Sequence, residues 1–164
     1  MLVGVLADSH DNLTMLQKSL MQLEERGAEM ILHAGDIVAP FSMKLLLKPG
    51  LPFVAVFGNN DGERAGLKKL CGNIYEQPHR FDVGGRTVVL AHEEDALSRA
   101  LDPDVEIAIC AHTHRPSIDS TGPLMINPGE VGAWLTGRST GVLLDLDECS
   151  AEILEFGRQE VPQL

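Results

Sequence analysis

The sequence predicts an α/β chain of the α+β kind, in which two packed mixed β-sheets are flanked by α-helices. Up to Tyr75, short apolar runs alternate with stretches of helical periodicity, the rhythm of parallel strands joined by crossover helices. Past Tyr75 the signals change to a hairpin and one more helix, and the strands after Ala111 read as antiparallel. The 164 residues fit one domain, residues 1–164, long enough to bury roughly 70% of its unfolded surface without staples.

The apolar run from Leu2 to Ala7 reads as a first strand, with no basic region before it and too few residues for a secretory core. Asp11 or Asn12 can cap the next helix, whose Leu13, Leu16, Leu20 and Leu23 recur at helical spacing and which Gly27 ends. Met30 to Ala34 is a second strand, and Pro40 opens a short helix with Phe41, Leu45 and Leu46, closed by Pro49-Gly50. Phe53 to Phe57 is a third strand, followed after Gly58-Asn59-Asn60-Asp61 by a helical stretch to about Cys71-Gly72. Arg80 to Val83, a Gly84-Gly85 turn and Arg86 to Ala91 make a hairpin. A helix from about Asp95 to Leu101 stops at Asp102-Pro103, before a strand from Glu106 to Ala111. Pro116 to Asp119, Leu124 to Asn127, Gly141 to Asp145 and Ala151 to Phe156 complete the strands. The Gly129 to Thr140 loop, with the only tryptophan, Trp134, is long for a hairpin and reads as a pocket rim or an interface patch, which leaves room for a homo-oligomer.

The formal net charge of −11 argues against stable nucleic-acid binding, because affinity for a phosphate backbone needs clustered Lys and Arg. An anionic substrate would need local positive charge, which bound divalent cations supply. The three cysteines, Cys71, Cys110 and Cys149, lack C-x-x-C spacing and indicate neither a disulfide framework nor a thiolate zinc site; they suit a reducing cytoplasm. No apolar run approaches a membrane span.

The chemistry lies at the strand ends. Leu2–Ala7 runs into Asp8-Ser9-His10, Met30–Gly35 into Asp36, Phe53–Gly58 into Asn59, Thr87–Ala91 into His92, and Ile107–Ala111 into His112-Thr113-His114. Loops converge above the carboxyl ends of strands in open sheets, and residues i and i+2 of an extended segment point the same way. Turn preference explains a ligand-type residue after any one strand but explains all five poorly. Asp8, His10, Asp36, Asn59, His92, His112 and His114 offer enough oxygen and imidazole for two divalent ions with one shared carboxylate. His33 reads as a satisfied core residue or a support for the site, His79 as solvent-facing, and Cys110 as packing rather than nucleophile.

Taken in order, Asp8-x-His10, Gly35-Asp36, Gly58-Asn59-x-Asp61, the lone His92 and His112-x-His114 resemble the motifs of the calcineurin-like metallophosphoesterases over nearly the whole chain. The short length and the Ile126-Asn127-Pro128-Gly129 run are similar to the small bacterial and archaeal phosphodiesterases, whose fold is a β-sandwich flanked by helices. The resemblance implies a dinuclear phosphodiesterase acting on a small phosphodiester by direct attack of a metal-bridging hydroxide. One ion would be held by Asp8, His10, Asp36 and His114, the other by Asp36, Asn59, His92 and His112, with Asp36, Asn59 and His92 at the catalytic core. Manganese is expected foremost, and iron, nickel, cobalt or zinc also suit these ligands. Asp61 is expected to orient an imidazole or the loop, or to cap a helix.

Several positions depart from the family pattern. Ala91 and Ala111 replace glycines, and Glu93, Glu94 and Asp95, where many relatives have glycine, either repel a highly charged monoester or face solvent. Asn60 stands where many relatives carry a histidine thought to protonate the leaving group, which implies substrates whose leaving groups depart unaided. The same fold also allows a non-catalytic, metal-binding interaction scaffold: a retromer subunit built on it binds partners and has lost part of the site. Completeness of the ligand set separates the two readings.

Overall fold

A computed structural model describes residues 1–161; the last three residues of the expected 1–164 domain lie outside the described residues. The first half runs β1 (Leu2–Leu6), α1 (Leu13–Glu25), β2 (Met30–His33), α2 (Pro40–Leu46), β3 (Phe53–Val56), α3 (Arg64–Leu70) and β4 (Ile74–Tyr75). The second runs β5 (His79–Val83), β6 (Arg86–Leu90), α4 (Glu94–Ser98), β7 (Ile107–Ile109), β8 (Ser117–Asp119), β9 (Leu124–Asn127), β10 (Arg138–Asp145) and β11 (Ser150–Arg158). One mixed sheet has the order β11-β10-β1-β2-β3-β4 and the other the order β5-β6-β7-β9-β8, the two-sheet architecture that the sequence predicts.

Side chains alternate across a strand, so the inner strands are apolar on both faces. Val3, Val5 and Leu32 of the first sheet meet Val88, Leu90, Ile107 and Ile109 of the second in a core between the sheets. The opposite face, with Leu6, Ile31 and Ala55, packs against Leu16, Leu20 and Leu23 of α1 and Met43 and Leu46 of α2. Leu13 and Phe41 are 41% and 51% exposed, while Met15 and Met43 are buried. Leu13 lies at the edge of the buried stripe of α1, where spacing alone does not decide burial, and Phe41 lies opposite the buried face of α2.

Asn12 caps α1 by accepting from the Met15 N–H at 3.2 Å, while Asp11 accepts from Ala39 N–H and the Ser42 hydroxyl and so ties the start of α2 to the β1 loop. The short strand β4 and the end of α4 at Ser98 differ from the expected elements. β9 runs parallel to β7, not antiparallel, because the chain passes first to the edge strand β8 and returns by the β8–β9 hairpin. Among the described residues no helix is long and apolar enough to cross a membrane.

Candidate metal centre

The turns after β1, β2, β3, β6 and β7 bring all seven expected ligands to one end of the sandwich. Gly58 makes this approach possible: a Cβ there would lie 2.2 Å from Asp36 Oδ1 and 2.5 Å from the Asp36 amide nitrogen. Gly35, at φ +96°, presents the same limit, with a Cβ falling 2.8 Å from both Gly58 N and His92 Nδ1. Asp8, His10, Asp36, His112 and His114 themselves adopt left-handed backbone, with φ of 51°, 40°, 59°, 65° and 59°. L-residues with side chains rarely sit there, and clusters of them mark functional sites.

Two groups of donors form. In the first, Asp8 Oδ1 lies 3.5 Å from His10 Nε2 and 3.3 Å from His114 Nε2, and His10 Nε2 is 3.5 Å from Asp36 Oδ2. In the second, His92 Nε2 lies 3.4 Å from Asp36 Oδ2, 2.8 Å from Asn59 Oδ1 and 3.2 Å from His112 Nδ1. Asp36 Oδ2 therefore stands between the groups. His92 Nδ1 is 2.8 Å from the Ala34 carbonyl, which can only accept, so the proton of the neutral ring is on Nδ1 and a lone pair on Nε2. That lone pair faces the oxygens of Asn59 and Asp36, an arrangement that a cation resolves. Asp8 Oδ1 and His10 Nε2 are buried without a hydrogen-bond partner, and groups of Asp8, His10 and His114 and of Asp8, Asp36 and His92 have the spacing to hold an ion. The residues present thus fit divalent cations.

The electrostatics agree. Burial alone would raise the Asp8 and Asp36 carboxyls, yet His10 and His114 beside Asp8, and His92 beside Asp36, hold both below the usual carboxylate range. Burial likewise opposes charge on the imidazoles, but Asp36 raises His92, and Asp8 with Glu130 pushes His114 up to about 10.

The supporting contacts include some that sequence reasoning missed. Asp61 does not cap α3; its carboxylate accepts from the backbone N–H groups of Asp36 at 3.0 Å, Val38 at 2.7 Å and Gly58 at 2.7 Å, clamping the turns after β2 and β3 together. Gln77 Oε1 accepts from His92 N–H at 2.7 Å, and Glu130 accepts from His114 Nδ1 at 3.0 Å. Neither Gln77 nor Glu130 lies in a strand-end motif. Asn127, in the Asn-Pro-Gly run, donates to the Ala111 carbonyl and the Thr113 hydroxyl beside the paired histidines. His79 is not free in solvent: its ring stacks on Tyr75 at 3.8 Å and on Phe81 at 5.3 Å. Cys110 is partly buried and its thiol is pushed up to about 11 by burial and Glu94, as suits packing and not nucleophilic attack.

A model of the calcineurin-like phosphoesterase superfamily domain matches residues 1–149. The chain belongs to this superfamily. A phosphodiesterase of Methanocaldococcus jannaschii is 29% identical over 157 residues, covering 90% of this chain and 95% of that protein. A solved structure described as a novel archaeal phosphodiesterase aligns with a TM-score of 0.83 at 26% identity, over 94% of this chain and 99% of the other. Vacuolar protein sorting 29 from Cryptosporidium parvum shares the fold, with a TM-score of 0.61 at 15% identity over 94% and 95% of the two chains.

In this phosphoesterase Ala91 and Ala111 are buried and outside the left-handed region, so neither position requires glycine. Glu94 and Asp95 face solvent in the first turn of α4 and, with half-buried Glu93, rim a shallow cavity also lined by His112. Asn60 donates from its amide to Asp36 Oδ2 and from its backbone to Asp36 Oδ1, both at 2.8 Å.

His33 is wholly buried, 2.9 Å from the Ser9 hydroxyl, and burial pushes it down to about 3 from an ordinary 6.5. Because its folded value is depressed, the unfolded chain takes up the proton first. Its contribution is full above pH 6.5 and is lost as pH falls toward 3, at up to ~1.4 kcal/mol per pH unit. Urea denaturation of metal-free protein should therefore show wild type losing stability from pH 6.5 to about 4.5 faster than His33→Leu. Parallel losses would assign the acid sensitivity to other groups.

Proposed function

We propose that the chain is a divalent-metal-dependent phosphodiesterase with a two-ion centre, Asp8, His10, Asp36 and His114 holding one ion and Asp36, Asn59, His92 and His112 the other. The observation that carries this reading is the convergence of these side chains from five strand ends, with Asp36 Oδ2 set between imidazoles of the two groups at 3.5 and 3.4 Å. When bound, two divalent ions supply charge for the phosphoryl oxygens and lower the pKa of a water for in-line attack. Manganese is the first ion to try, with iron, nickel, cobalt and zinc compatible with the same ligands.

The protein's own residues set the rest. Asn59 offers a neutral oxygen beside His92, which keeps the centre's total negative charge down. Asn60 places an amide, with no titratable proton, on the Asp36 carboxylate, so leaving groups that depart unaided are favoured. Net charge of −11 and the nearby Glu93 and Glu94 disfavour a dianionic monoester against a monoanionic diester. The phosphodiesterase name of the archaeal relative supports the same class. A complete donor set speaks for catalysis over a purely scaffolding role.

The test is kcat/KM on bis(4-nitrophenyl) phosphate against 4-nitrophenyl phosphate with manganese restored to metal-free protein. We expect the diester to lead by about tenfold, a barrier difference of ~1.4 kcal/mol. Equal or faster turnover of the monoester would remove the diesterase assignment.

A further inference from the structure

Glu130 is a wholly buried carboxylate outside every strand-end motif. Its Oε2 accepts from His114 Nδ1 and from Trp134 N–H, both at 3.0 Å, and its Oε1 accepts from the N–H groups of Leu135, at 3.1 Å, and Thr136. Trp134 and Leu135 line one side of a cavity of about 380 Å³ whose other lining residues are His10, Asp36, Asn60, His112 and His114. The Trp134 indole is tied back to the same centre, its Nε1–H donating to the His10 carbonyl at 3.1 Å. One carboxylate thus links an imidazole of the centre with the backbone of the apolar cavity wall.

We infer that Glu130 is a positioning residue that couples ion binding at His114 to the order of the Trp134–Thr136 wall. The inference rests on the metal reading of the site. The carboxylate can only accept, so it holds a proton on His114 Nδ1 and makes Nε2 the nitrogen that an ion can take by displacing its proton. An ion on Nε2 holds the ring still, and with it the oxygen shared with the Trp134 amide. Coupling of this kind is reciprocal: an ordered wall strengthens ion binding by the factor by which the ion orders the wall. Glutamine cannot replace Glu130. Turned one way, its NH₂ group meets His114 Nδ1 and draws the ring proton to Nε2; turned the other, it meets the N–H groups of Leu135 and Thr136.

The experiment uses zinc, which is diamagnetic, and the full chain. Amide hydrogen exchange of Trp134, Leu135 and Thr136 is followed with and without zinc, and zinc affinity is measured by chelator competition, in both wild type and Glu130→Gln. We expect zinc to slow these three amides by about tenfold or more, and Glu130→Gln to bind zinc about 10- to 100-fold more weakly, with little protection of the wall. Unchanged amide exchange in wild type that demonstrably binds zinc would overturn the coupling and leave the metal reading standing. Failure of wild type to bind zinc or any other divalent ion would overturn both. Should Glu130→Gln not fold, the same exchange measurement on Trp134→Phe, which removes the indole link to His10 and keeps the carboxylate, decides the question: protection retained supports the coupling through Glu130, and protection lost overturns it.

Discussion

If the centre holds two ions as proposed, Asp36→Asn is expected to empty both sites and to lower diesterase activity by more than the roughly 100-fold that loss of a residue merely supporting a ligand costs. The reason is geometric. Asp36 Oδ2 lies 3.5 Å from His10 Nε2 and 3.4 Å from His92 Nε2, so a single oxygen serves both donor groups. The amide keeps the shape, loses the charge, and must place its NH₂ at one of two oxygens that now accept from Asn60. Either placement sets donor against donor. His114→Ala removes a donor of one group only and should leave one tightly bound ion. Elemental analysis of dialysed protein distinguishes the cases: two tight ions per chain in Asp36→Asn would show that this carboxylate does not bridge.

The largest loss of stability is expected for Asp61→Ala. Its carboxylate is 3% exposed and pairs three backbone N–H groups, on Asp36, Val38 and Gly58. A buried donor left unpaired costs ~1–3 kcal/mol, and partial access of water to the cavity reduces the sum, so a loss of about 3–5 kcal/mol is expected for metal-free protein. Asp61→Asn keeps one accepting oxygen and should lose about half as much. Ion binding should weaken in both variants, because the Asp36 and Gly58 turns are held in register by this group. Urea denaturation monitored by circular dichroism gives the number. A loss below ~1 kcal/mol for Asp61→Ala would mean that the three amides find other partners.

Much of this arrangement was legible in the chain because each candidate ligand follows directly on an apolar strand, and strand order fixes where such residues meet. The alternation of Val3, Val5 and Leu32 against Leu6 and Ile31 similarly announces a sheet buried on both faces. Other features depend on long-range closure, which periodicity does not encode. Glu130 meets His114 only because the β9–β10 loop folds back across the sandwich, and Gln77 reaches His92 from a separate strand connection. His79 is half-buried because β4 sets Tyr75 beneath it, and a two-residue strand gives no periodic signal. The parallel pairing of β7 with β9 follows from where β8 leaves room, not from the residues of β9 themselves.

The left-handed backbone at Asp8, His10, Asp36, His112 and His114 carries a cost. Each such residue costs the fold on the order of 1 kcal/mol relative to glycine, which reaches this region freely. Glycine at these turns would relieve that strain and would remove the side chains that the proposed centre needs, so backbone comfort and the donor set oppose each other there. A chain that carries all five at once concentrates several strained turns at one end of the sandwich.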